Sequence, residues 1–81
     1  MAISMNRLGE SILEVMETSK LGKMSIHVLK KQSDDLNIDL DAISKNDLKD
    51  LIKRLEDILP FFLGAEAKGV LAKIRKLETS I

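Results

Sequence analysis

Between residues 44 and 63 the chain reads SKNDLKDLIKRLEDILPFFL, and its apolar residues Leu48, Leu51, Ile52, Leu55, Ile58, Leu59 and Phe62 recur at steps of three and four. That spacing gathers them on one side of an α-helix. Leu48, Ile52, Leu55, Leu59 and Phe62 form a central line, and Leu51 and Ile58 widen it into a candidate packing face for two neighbouring helices. Ser44, with Asp47 three residues later, has the form of a capping box with aspartate in place of glutamate. Pro60 predicts an end or a kink near residue 59, because proline lacks an amide and clashes with the preceding turn. Gly64 closes the PFFLG corner.

The flanking segments carry the same period. Over 3–19, Met5, Leu8, Ile12, Val15 and Met16 make a stripe, while Glu10, Glu14 and Glu17 lie on the opposite side. Gly22 is a helix-stop signal, and a second helix over 24–35 carries Ile26, Val28 and Leu29. A competing reading keeps one helix over 3–36, since Met5, Leu8, Ile12, Val15, Ser19, Gly22, Ile26, Leu29, Ser33 and Leu36 hold a heptad register throughout. The break at Gly22 is preferred; the long helix would demand a dimer. Residues 37–43, NIDLDAI, read as a linker whose Ile38, Leu40 and Ile43 tuck under the helices. The last helix, 65–79, places Ala67, Val70, Leu71, Ile74 and Leu77 on one side. The pattern therefore predicts a single all-α domain over 1–81. It would be a three- or four-helix bundle in which 45–59 and 65–79 pack antiparallel.

Composition adds a constraint on stability. A domain of 81 residues buries only about 60% of the surface that its unfolded chain exposes. With no cysteine there is no disulfide to help, so completion of the core by homodimerisation is expected. The hydrophobic fraction is nearly all aliphatic, with two Phe and neither Tyr nor Trp, which suits helix packing and removes most stacking platforms for single-stranded nucleic acid. Thirteen basic and thirteen acidic residues cancel, so no global field draws the chain to nucleic acid or to an anionic membrane. No run approaches the ~20 apolar residues of a membrane span, and MAISMNRLGE lacks the pattern of a signal peptide. A cytoplasmic location with no membrane partner is expected.

The charges cancel in sum but not in place. Residues 20–33 hold four lysines and no acid, and residues 34–41 hold four aspartates and no base. Lys20, Lys23, His27 and Lys30 recur at helical spacing, with Lys31 beside them, and make the sharpest polar constellation in the chain. Such a stripe can receive an acidic partner or phosphate groups. The preferred account is simpler: lysines on the solvated face of an amphipathic helix.

His27-Val28-Leu29-Lys30 resembles the H-x-x-K core of histidine phosphotransfer domains. The resemblance implies a helical bundle with His27 as phosphoryl acceptor and Lys30 as its electrostatic partner. In that family a small residue follows the lysine, and Lys31 stands there instead. Asp35 to Asp39 is similar to the first half of an EF-hand loop, but Leu40 occupies the position of the turn glycine and Asn46 that of the closing glutamate, so helix capping is the better account. With a lone histidine and no glycine-rich phosphate loop, no catalytic residue, cofactor site or metal site is expected. The favoured function is a protein–protein interaction module, an adaptor or regulatory subunit. It would pair with itself and with another protein through its aliphatic faces, with the charge blocks setting partner choice. The alternative is a dimeric nucleic-acid-binding regulator that uses the 20–31 stripe with Lys68, Lys73, Arg75 and Lys76.

Overall fold

Asn6 starts the first helix in the computed structural model, which describes residues 5–79. Its side-chain oxygen accepts from the Gly9 amide at 2.9 Å and satisfies a donor that the helix itself leaves unpaired. Helix α1 then spans Arg7–Glu17. Its expected first residues, 3 and 4, lie outside the described residues. The same asparagine binds distant chain: its backbone amide donates to the Leu40 carbonyl at 3.0 Å, and its Nδ2 donates to the Ile43 carbonyl at 3.1 Å. One residue thus caps α1 and holds it to the segment that leads into the third helix.

After Glu17 the chain turns. Thr18 Oγ1 donates to the Val15 carbonyl and Ser19 Oγ to that of Met16, which occupies carbonyls that a continuing helix would use. Gly22 has φ of +49°, a left-handed conformation that a residue with a side chain adopts only at a cost. A 3-10 turn, Gly22–Met24, leads into α2, Ser25–Asp35. The chain therefore does not follow the single helix over 3–36. The heptad positions Ser19 and Gly22 fall in the turn, and the apolar stripes on either side of it serve two separate helices.

Helix α2 ends on Asn37, at φ +57°, with the Ile38 amide donating to Ser33 at 2.8 Å and the Asn37 amide donating to Asp34 at 3.2 Å. This is the paired-bond C-terminal motif that usually employs glycine. The linker buries Ile38, Leu40 and Ile43. Ser44 and Asp47 then form a reciprocal capping box, at 3.1 Å in each direction.

Helix α3, Lys45–Leu63, continues through Pro60 instead of stopping near 59. Proline in a helix interior costs about 3 kcal/mol, chiefly through a lost hydrogen bond and a clash one turn back. The continuation buries Leu63, and a fully buried leucine contributes about 1.5–3 kcal/mol. The Pro60 carbonyl still accepts from the Gly64 amide at 3.0 Å. Gly64 ends the helix at φ +58° and ψ −130°, a region essentially reserved for glycine. Helix α4 follows at Glu66–Thr79.

Two contacts orient the helices. Asn6 joins the start of α1 to the approach to α3, and the Lys20 amide donates to Glu66 Oε1 at 2.9 Å, which joins the turn after α1 to the start of α4. Helices α1 and α3 therefore run in the same direction, and α2 and α4 return. The two longest helices, α3 and α4, are packed together. Ile12, Met16, Leu29, Leu48, Leu51, Leu55, Leu59 and Ile74 are fully enclosed in one aliphatic core. The described residues are all-helical apart from turns and linkers, with no strand among them.

Candidate interaction surface

Of the predicted packing face on α3, Leu48, Leu51, Ile52, Leu55 and Leu59 are buried within the chain and Ile58 is partly buried. Phe62 departs from that expectation: it is 55% exposed. It lies in the last turn of α3, beyond Leu59, where Leu63 takes the core position instead. The aliphatic line is thus consumed by the fold and is not free to bind another molecule.

All five residues of the basic stripe are exposed, but they do not share one helix. Lys20 is in the turn, Lys23 is in the 3-10 segment, and His27, Lys30 and Lys31 lie on α2. Two of them are engaged by the aspartate block that follows. Lys30 Nζ stands 2.7 Å from Asp34, and Lys31 Nζ 3.9 Å from Asp35, each one helical turn away. His27, Lys30, Lys31, Asp34 and Asp35 line one open groove. The positive and negative blocks therefore offset one another on the surface of α2. Asp39 caps its own turn by accepting from the Asp41 amide at 2.9 Å. Among the described residues, no three or more His, Asp or Glu side chains gather as a metal site.

A polar clamp unseen in the sequence holds α2 to α3. Arg54 Nε donates to Gln32 Oε1 at 2.9 Å, and its Nη2 lies 3.2 Å from Asp35. The clamp also identifies which flanks of the two helices face each other. Phe61 is seven residues, about two turns, beyond Arg54 and so lies on the same flank of α3. Met24, the last residue of the 3-10 segment, immediately precedes α2 and so stands at the end of that helix opposite Asp35. The helices run antiparallel, so both residues lie toward the same end of the α2–α3 seam, away from the clamp. The Lys20–Glu66 hydrogen bond independently brings the turn before Met24 to the corner after Phe62.

Large apolar side chains are exposed toward that end. Phe61 is 89% exposed, Phe62 and Met24 are each 55% exposed, and these are the large exposed hydrophobic residues among those described. The sequence held one signal for it: Phe61 falls off the apolar line of 44–63, an apolar residue out of register with a helix face otherwise reserved for charge.

No family model, curated protein or solved structure matches the chain. No helix among the described residues is long and apolar enough to cross a membrane.

Proposed function

We propose that this chain is a small helical protein-interaction module that acts by binding rather than by catalysis, and that its recognition surface is the Met24, Phe61 and Phe62 end of the α2–α3 seam. One observation carries the reading: both phenylalanines of the chain stand outside a core that is closed without them. Burying an exposed phenylalanine contributes about 1.5–3 kcal/mol, so two adjacent ones left in water favour a partner that covers them. The role expected from the sequence is kept, but its surface moves. The aliphatic face of α3 builds the domain, and the aromatic end does the binding, with the charged residues around it setting partner choice.

The nucleic-acid reading draws less support, because Asp34 and Asp35 lie against Lys30 and Lys31 in the stripe on which it depends. The same aspartates would repel a phosphoryl group on His27.

A photo-crosslinking residue at position 61, compared with one at Lys49 on the other flank of α3, tests the proposal in cells that make the protein. A protein adduct from position 61 and none from position 49 is expected. Failure of position 61 to capture any protein would refute the reading.

A further inference from the structure

We propose that the cleft where the starts of α1 and α3 meet the end of α4 binds a small amphipathic oxyanion of the medium-chain carboxylate type, an acidic head on a short hydrocarbon body. The site is separate from the aromatic end of the molecule. Lys45 opens α3 and Phe61 lies in its last turn, so about 24 Å of helix axis divides them.

Three elements build the cleft. Asn6 ties the start of α1 to the chain that enters α3, through its bonds to the Leu40 and Ile43 carbonyls. Arg7 and Lys45, the first residues of the two helices, therefore line the same opening. The returning α4 brings Leu77, in its last turn, to the same end. The cleft measures about 480 Å³, within the range of small-molecule sites. Its walls are of two kinds: Leu8, Ile43 and Leu77 form an apolar side, and the polar side carries the two cations with Ser11 and Ser44.

The charge of the polar wall selects the ligand. Two cations line the cleft and no carboxylate does. Both are exposed, and among the described residues neither Arg7 nor Lys45 has an ion-pair partner. The grooves elsewhere on the surface differ. On α2, Asp34 and Asp35 share the groove with Lys30 and Lys31, and between α3 and α4 the Arg75 guanidinium is held by Glu56 at 2.8 Å.

The hydroxyls add direction. Ser44 Oγ accepts from the Asp47 amide at 3.1 Å, which leaves its proton to donate to an anion. Ser11 Oγ donates to the Arg7 carbonyl at 3.0 Å and offers a ligand only an acceptor. A guanidinium fork, an ammonium and one hydroxyl donor suit the oxygens of an acidic head. The aliphatic wall beside them suits a hydrocarbon body, which a fully hydrophilic anion would leave in contact with water.

Titration of the full chain with octanoate, kept below its micelle concentration and followed by NMR of the side-chain methyl groups, tests the assignment. Saturable shifts at Leu8, Ile43 and Leu77 are expected, with a dissociation constant of about 1 mM or tighter. Acetate, which has the head without the body, and octanol, which has the body without the head, should each bind at least about tenfold more weakly. Replacing both cations, Arg7→Gln with Lys45→Gln, should weaken octanoate at least about tenfold and leave octanol unchanged. Circular dichroism checks the fold of that variant. Rising salt should weaken octanoate and not octanol, a readout that needs no substitution.

No saturable shift by about 10 mM octanoate overturns the proposal. So does octanol binding as tightly as octanoate, or octanoate binding that ignores both salt and the paired substitution. Shifts centred on Met24 instead of the three aliphatic residues would place the ligand elsewhere and refute the site.

Discussion

Two glycines in helices, Gly9 in α1 and Gly69 in α4, should respond to alanine with opposite sign. Helix propensity alone favours Ala over Gly by about 0.5–1 kcal/mol at either position. At Gly69 nothing else intervenes, because a Cβ there would meet no atom within 4 Å. At Gly9 a Cβ would stand 2.9 Å from the Leu40 carbonyl oxygen and 3.2 Å from the Met5 Cβ. The oxygen cannot simply retreat, since it also accepts the Asn6 amide at 3.0 Å. Relieving the clash must shift α1 or the linker and strain that bond, and overpacking of this kind costs about 1–3 kcal/mol. Subtracting the propensity gain leaves a net loss of about 0–2.5 kcal/mol for Gly9→Ala, centred on about 1 kcal/mol. In a domain of this size 1 kcal/mol moves the melting temperature by roughly 4–8 °C. Thermal unfolding followed by circular dichroism, at one fixed low protein concentration, should therefore show Gly9→Ala melting well below the parent and Gly69→Ala a few degrees above it. Equal stabilisation by both would refute the close packing of α1 on the linker. The contrast is a strong test because the chemistry of the two substitutions is identical.

Three further predictions use the same assay. Leu55 is 0% exposed at the centre of the α3 face, so Leu55→Ala should cost about 2–5 kcal/mol, and a loss below about 1 kcal/mol would show that α3 packs by another face. Ser25 is fully buried and its hydroxyl has no hydrogen-bond partner, so Ser25→Ala should stabilise the fold by about 1 kcal/mol; destabilisation would reveal a partner for that oxygen. Asn37 ends α2 in the left-handed region, where Asn37→Gly should be neutral or slightly stabilising and Asn37→Ala should cost about 1 kcal/mol. Equal effects of glycine and alanine there would contradict the backbone geometry.

The helical class and the inward face of α3 were legible because they rest on local period: a residue three or four positions along a helix returns to the same side whatever the rest of the chain does. The Ser44 cap was legible for the same reason. Asn6 was not, because its value lies in bonds to Leu40 and Ile43, more than thirty residues away in sequence. Arg54 was not either, since only the antiparallel return of α2 brings Gln32 and Asp35 to it. The lysine stripe was read as one charged face, yet its effect depends on Asp34 and Asp35, which the helical turn folds back onto it. Opposite charges separate in sequence but are neighbours in space.

Pro60 shows how a mistaken boundary concealed the candidate surface. Ending α3 near residue 59 leaves Phe61 and Phe62 in a corner, where their apolar rings can be assigned to the underside of the helices. In the folded chain the helix continues, and its geometry then dictates which way each residue faces. Leu63 is four residues beyond Leu59, so it returns to the core side and is buried. Phe61 is seven residues beyond Arg54, so it cannot return there and emerges on the solvent flank of the α2–α3 seam. The burial of Leu63 that offsets the proline and the exposure of Phe61 are consequences of the same additional turn. Truncating the buried side chain should therefore act on the surface as well as on stability. Leu63→Ala removes the core contact that holds the turn beyond Pro60, and in hydrogen exchange the Gly64 amide, bonded to the Pro60 carbonyl, should lose protection selectively while α1 retains it. Uniform loss of protection across the four helices would instead mean that the last turn of α3 has no separate stability, and that Phe61 is positioned by the fold as a whole.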